Sequence, residues 1–136
     1  MSLENAYVSY GPARLLVADD DPILREFAAV HLASPEVEVE VAEDGVIAWE
    51  HLQQGGFDIA LVDLEMPNMD GFELIAAVQG SLQTEDLPII AITGHDEMSA
   101  RVHDMKGLFG IFKKPWNDRD LLKRVQQLST MRARAA

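Results

Sequence analysis

A chain of 136 residues in which 48% of positions are apolar has the size of one globular domain and can bury a continuous core. It contains no cysteine, which excludes disulfides and thiolate metal sites and suits a reducing compartment. The formal charge of −12 is uneven: residues 113–136 hold seven basic and two acidic side chains, whereas the body through Phe112 holds four basic and 21 acidic ones and would repel a nucleic-acid backbone.

Residues 1–13, with Tyr10, Gly11 and Pro12, show no clean period and read as an N-terminal arm or linker remnant. Neither a signal pattern nor an apolar run of membrane-spanning length is present, so the expectation is a soluble cytoplasmic protein without a membrane partner. The first strand is expected at 14–18 (RLLVA). Asp21 and Pro22 then supply a cap and a first-turn proline for a helix with Ile23, Phe27 and Val30 on one face. The run VEVEV at 37–41 alternates strictly, which predicts an edge strand with Glu38 and Glu40 facing water. A second helix starts near Asp44 and presents Ala48 and Leu52.

A third strand at 58–62 (DIALV) leads to a helix opening at Asp70-Gly71 and presenting Leu74, Ile75 and Val78. A fourth strand at 88–92 (PIIAI) precedes a helix with Met98, Val102 and Met105. The fifth strand, 109–112 (FGIF), is followed by Asn117 as cap of a fifth helix carrying Leu121, Leu122, Val125 and Leu128. Asp118 and Asp120 stand in that helix's positive first turn, and the basic Arg132 and Arg134 complement its far end more economically than they predict an acidic partner. The folded domain is thus expected over 14–128, with 129–136 as a helix extension or tail.

Five strands alternating with five helices imply an α/β fold with a parallel sheet covered on both faces. Right-handed crossovers favour the flavodoxin-like, doubly wound order 2-1-3-4-5, with a site outside the carboxyl ends of the strands. Those ends are chemically distinctive. Strand one runs into Asp19-Asp20-Asp21, strand three into Asp63, strand four into Thr93 and strand five into Lys114. Two carboxylates about 4 Å apart repel by roughly 4 kcal/mol at an effective dielectric near 20, so such a cluster calls for a cation. A hard divalent ion, Mg²⁺ with Mn²⁺ as a substitute, suits carboxylate oxygens, waters and phosphate oxygens. Asp21 is accounted for as a helix cap.

The segments VADDDP at 17–22, LVDLEMPNMDG at 61–71, AITG at 91–94 and KKP at 113–115 resemble the signature set of CheY-like response regulator receivers, in the family's order and with compatible spacing. The similarity covers about residues 13–128. It implies a phosphoacceptor in a two-component phosphorelay, receiving a phosphoryl group from a histidine kinase phosphohistidine or a phosphotransfer protein. Asp63 would be the phosphoacceptor. Asp20, Asp63 and the backbone carbonyl of Glu65 would bind Mg²⁺, and Asp19 would hold a metal-bound water. Thr93 would donate to a phosphoryl oxygen and Lys114 would supply positive charge. In that family the Lys-Pro bond, here Lys114-Pro115, is usually cis and aims the lysine inward.

The resemblance also implies a switch of the face formed by the fourth helix, fifth strand and fifth helix, with no enzymatic turnover beyond the domain's own phosphorylation and dephosphorylation. A fused or separate output partner and a phosphorylation-dependent homodimer are compatible with it. Glu65 and His95 lie at positions where the family tunes phosphoryl lifetime. The family's switch aromatic, three residues before the lysine, is replaced by Ile111, and Phe112 is expected on the opposite side. Lys113 is expected at the surface, Trp49 in packing, and Trp116 in packing or a partner surface; His31, His51 and His103 lack metal-ligand spacing.

A flavodoxin-type carrier is disfavoured because three aspartates would repel an FMN phosphate, and a dinucleotide site because no G-x-G-x-x-G turn exists. An HAD-like aspartyl-phosphate phosphatase would typically carry a second Asp as the acid for turnover where Glu65 stands, and a substrate cap for which the chain has no room. A pseudo-receiver that keeps the fold as an interaction module is opposed by the complete set of Asp19, Asp20, Asp63, Thr93 and Lys114. The cognate kinase and the output carry no recognisable motif, and both a stand-alone regulator and a receiver within a hybrid kinase or longer regulator fit.

Overall fold

The structure, a computed structural model, describes residues 11–94 and 105–135, with side chains through Met131. Its strands are β1 (Ala13–Ala18), β2 (Val37–Ala42), β3 (Ile59–Asp63), β4 (Ile89–Thr93) and β5 (Leu108–Lys113). They form one sheet in the order β2-β1-β3-β4-β5, and every neighbouring pair is parallel. Among the described residues there are four helices: α1 (Pro22–His31), α2 (Gly45–Gln53), α3 (Gly71–Gln79) and α4 (Asp118–Ala135). The expected helix with Met98 and Val102 lies outside the described residues, whereas Met105 is half-buried just before β5.

Strand alternation sorts the apolar side chains onto the two faces of the sheet. Leu16, Ala18, Ala60, Val62, Ile89 and Ala91 point to one face and pack with Ala48 and Leu52 of α2 and Leu74, Ile75 and Val78 of α3. Leu15, Val17, Ile59, Leu61, Ile90 and Ile92 point to the other, against Ala28 and Leu32 beside α1 and Leu121, Val125 and Leu128 of α4. Near-continuous apolar runs such as IALVD and IIAIT follow from burial on both faces. Each fully buried Leu or Ile contributes roughly 1.5–3 kcal/mol over an exposed one.

The helix starts are set locally. The Asp21 carboxylate accepts from the Ile23 amide ahead of Pro22, Asp44 accepts from Ile47, and Asp70 forms a capping box with Glu73. Asn117 accepts the Asp120 amide at the head of α4. These caps place four helix starts or loops at the carboxyl edge of the sheet, where the candidate site lies.

Two expectations are corrected. In α1, Ile23 and Val30 are 75% and 66% exposed, and the side toward the sheet carries Ala28 and, just past the helix, Leu32. The helix has a second apolar row, Leu24, Ala28 and Leu32, and the small Ala28 allows close approach to β1. In β2, an edge strand as expected, Glu38 is exposed but Glu40 is not left to water. Its carboxylate takes the Arg14 guanidinium at 2.6 Å and faces His51 Nδ1 at 3.4 Å. The hydrogen bond and charge of Arg14, followed by His51, hold Glu40 below the usual carboxylate range against the opposing effect of burial.

Candidate phosphoacceptor site

Asp63 is the last residue of β3 and only 1% exposed. Its Oδ1 accepts the Glu65 amide at 3.0 Å, and its Oδ2 stands 3.0 Å from the Lys114 ammonium. Asp19, directly after β1 and 2% exposed, lies with its Oδ2 3.5 Å from the same ammonium. The other oxygen, Asp19 Oδ1, accepts the Asp21 amide at 2.9 Å, which fixes the carboxylate beside the cap of α1. Asp20 is exposed, and one carboxylate oxygen from each of Asp19, Asp20 and Asp63 falls within 4.8 Å of the others. When all are ionised, three carboxylates oppose one ammonium.

Burial is the largest influence on Asp63. It pushes the carboxyl up to about 6, with the Asp19 charge in the same direction and the Glu65 amide and Lys114 opposing it. Burial alone would lower Lys114, but the hydrogen bond and charge of Asp63, followed by Asp19, outweigh it and hold the ammonium above its ordinary value. Hard oxygen donors crowded beside a buried carboxyl fit a small divalent cation: Asp19, Asp20 and Asp63 could hold it, and its charge would relieve their repulsion.

Lys114 is anchored to β4 by its own amide, which donates to the Thr93 carbonyl at 2.7 Å. The Lys114–Pro115 peptide is cis. Lys113, one residue earlier, is exposed. Thr93 is fully buried, and its hydroxyl donates to Glu65 Oε1 at 3.0 Å. The Gly94 amide donates to the same oxygen at 3.0 Å. Glu65, expected at the site through its backbone carbonyl and as a tuning position, therefore turns its side chain toward the end of β4. His95 lies outside the described residues.

Ile111 is half-buried and packs with the α2 and α3 core, while Phe112 joins the opposite face, so no aromatic side chain occupies the position three residues before Lys114. Trp49 packs, half-buried, against the first core. Trp116 packs edge-on against Phe27, with ring centroids 6.1 Å apart, and Phe27 stacks on His31 at 4.4 Å.

Two participants were not legible from the motifs. Arg25 of α1 donates to the Asp19 carbonyl at 2.9 Å, steadying the loop that carries the acidic pair. Its signal was weak: a basic residue one turn into the helix after the aspartates. The sequence places Gly71 at the opening of a helix without showing why a glycine is needed there: a Cβ would stand 2.4 Å from the Asp63 carbonyl oxygen. The N-terminus of α3 is seated directly on the end of β3.

A parallel 2-1-3-4-5 sheet with this acidic pair, carboxylate, hydroxyl and lysine on one edge defines a receiver-type domain. The sequence pattern of the response regulator receiver domain matches residues 15–126, and the chain belongs to that family, the receivers of two-component signalling. It is 34% identical over 116 residues to the response regulator MprA of Mycobacterium tuberculosis, and over 118 residues to that of Mycobacterium sp. strain KMS. The alignments cover 85% and 86% of this chain and 50% of each relative, so the chain spans about half the length of these relatives. Among solved structures, the chemotaxis response regulator CheY4 of Vibrio cholerae is similar at 32% identity and a TM-score of 0.77, with 86% of this chain and 98% of that one covered. The receiver domain of Francisella response regulator 1452 is similar at 26% identity and a TM-score of 0.78, with 88% and 98% covered. No helix among the described residues is long and apolar enough to cross a membrane.

Proposed function

We propose that this receiver accepts a phosphoryl group on Asp63 from the phosphohistidine of a sensor kinase or phosphotransfer protein, in a Mg²⁺-dependent reaction. The observation that carries the proposal is the convergence of a buried Asp63, the Lys114 ammonium at 3.0 Å and two further carboxylates within 4.8 Å. Bound Mg²⁺ would supply charge neutralisation for the carboxylates and the phosphoryl oxygens. Asp63 supplies the oxygen that bonds phosphorus as the donor's P–N bond breaks, the electron pair staying on the imidazole nitrogen. Lys114 holds Asp63 ionised and oriented and meets negative charge on the transferred group. Thr93 would donate its hydroxyl to one of that group's oxygens. The protein's only chemistry is gain and loss of its own phosphoryl group.

The modified state would bind an output partner, separate or fused, better than the unmodified one through the surface of β5 and α4. This is supported by Thr93 and Lys114 standing at the entrances to that surface. With a small acyl phosphate and Mg²⁺, the chain should gain one acid-stable, base-labile phosphoryl group, and Asp63→Asn should gain none. Equal labelling of the variant rules the site out. Unchanged amide spectra over residues 93–128 on adding beryllofluoride and Mg²⁺ reject the switch.

A further inference from the structure

At the end of β4 two donors beside the phosphoacceptor are already engaged by the protein itself. The Thr93 hydroxyl and the Gly94 amide both reach a single oxygen, Glu65 Oε1, at 3.0 Å each. Glu65 lies on the loop whose amide holds Asp63 Oδ1, so one residue contacts the phosphoacceptor by its backbone and the β4 donors by its side chain. Thr93 is fully buried, Glu65 is half-buried and Gly94 is exposed. A Cβ at Gly94 would lie 3.8 Å from the Glu65 carboxylate, ordinary contact, so the carboxylate sits against the Gly94 backbone without crowding it.

We infer that Glu65 is a positioning residue whose carboxylate stands in for a phosphoryl oxygen, holding Thr93 and Gly94 until Asp63 is modified and then being expelled. The inference rests on Asp63 being the phosphoacceptor. A phosphoryl group on Asp63 brings negative charge and acceptor oxygens next to Glu65, whose amide already holds Asp63 Oδ1. The carboxylate repels that charge and competes for the same hydroxyl, so the two acceptors exclude one another. Expulsion exchanges bonds to Glu65 for bonds to the phosphoryl group, and the unmodified state is favoured by whatever Glu65 gives up. The carboxylate thus sets the threshold for modification, and its departure frees the Thr93 hydroxyl and the Gly94 amide from Glu65.

The experiment compares the wild type, Glu65→Gln, Glu65→Ala and Asp63→Asn in the full chain, with beryllofluoride and Mg²⁺ as the probe. Glu65→Ala should bind beryllofluoride about tenfold more tightly than wild type, as expected when two hydrogen bonds to a carboxylate no longer have to be broken. Glu65→Gln, which keeps an acceptor oxygen without the charge, should fall between them. In wild type the carboxyl-carbon resonance of Glu65 and the amide resonance of Gly94 should both move on beryllofluoride binding, a signature a purely structural glutamate would not give. The free Glu65→Ala protein should already show a displaced Gly94 amide. Binding lost in Asp63→Asn but unaltered in both Glu65 variants, or a Glu65 carboxyl resonance that stays fixed, overturns the Glu65 inference alone. Absence of binding in wild type, or equal binding by Asp63→Asn, overturns it together with the phosphoacceptor assignment.

Discussion

The Lys114 ammonium stands 3.0 Å from Asp63 Oδ2, although β4 lies between β3, which ends in Asp63, and β5, which Lys114 follows. The reach is possible because Lys114 is itself anchored to β4 through the Thr93 carbonyl at 2.7 Å. Replacing Lys114 with Met keeps the stem and removes the charge. Asp63 then loses a hydrogen bond and a cation, so its carboxyl should rise further above its present value of about 6. Labelling by a small acyl phosphate should fall by roughly a hundredfold or more, the usual scale for losing one preorganised charge. Lys114→Arg keeps the charge but not the compact ammonium, and should recover only part of the rate. Labelling kinetics followed on phosphate-retarding gels decide the matter, and a Met variant as fast as wild type contradicts it.

Asp63 also couples the fold to pH. Its folded carboxyl titrates at about 6 against 3.8 for the free side chain, so between those values the folded state holds a proton that the unfolded state has released. Stability contributed by this group therefore falls as pH rises from about 4 to 6, and the penalty is complete above that window. In chelator, Asp63→Asn should be more stable than wild type by up to about 3 kcal/mol at pH 7.5, less whatever Lys114 loses as a partner. The difference should disappear near pH 4. Adding Mg²⁺ should narrow the gap by stabilising the wild type alone. Urea unfolding at both pH values measures it; a gap that widens as pH falls contradicts the assignment.

The sequence carried the sheet order and the acidic site because both depend on patterns that burial enforces. Runs buried on both faces, such as IALVD and IIAIT, have one economical arrangement, and Asp19, Asp63, Thr93 and Lys114 follow directly from the strand ends. Three features lie outside such patterns. In α1 both Ile23-Phe27-Val30 and Leu24-Ala28-Leu32 are apolar rows, and periodicity cannot say which faces a sheet when the deciding residue is an alanine. The Glu65 side chain could turn to water, to a metal or to Thr93, and two donors converging from the next strand selected the last. Glu40 followed the same rule: its partners Arg14 and His51 come from β1 and α2, and alternation along its own strand is silent about them.

The acidic pair after β1 should divide its labour in a measurable way. Asp20 is exposed and Asp19 is buried, with one Asp19 oxygen engaged by the Asp21 amide and the other facing Lys114. Asp20→Asn should weaken Mg²⁺ binding by about tenfold or more while moving the unfolding midpoint little, because an exposed side chain contributes little to the fold. Asp19→Asn should weaken Mg²⁺ binding and also destabilise the protein, because a buried, oriented carboxylate is replaced by an amide facing the same donors. Calorimetric titration with MgCl₂ and thermal unfolding of both variants test the division. Equal loss of stability in the two variants contradicts it.

Gly71 gives the last prediction, because its lack of a side chain connects the helix layer to the chemistry. A Cβ at this position would lie 2.4 Å from the Asp63 carbonyl oxygen and 2.5 Å from Leu64 Cα, backbone atoms of Asp63 itself and of the residue after it. Neither can rotate away, so Gly71→Ala must shift α3 or the end of β3 at a cost of about 1–3 kcal/mol. Gly45→Ala meets the Met69 carbonyl oxygen at 1.9 Å and should be at least as destabilising, but its strain falls on the loop before α3 and not on Asp63. At a temperature where both variants are folded, Gly71→Ala should therefore lose labelling at Asp63 in greater proportion than Gly45→Ala. Gly94→Ala, whose Cβ would find its nearest neighbour among the described residues at 3.8 Å, should leave the unfolding midpoint nearly unchanged. If Gly71→Ala labels as fast as wild type, the seating of α3 on β3 is a matter of stability alone and has no part in aiming the carboxylate.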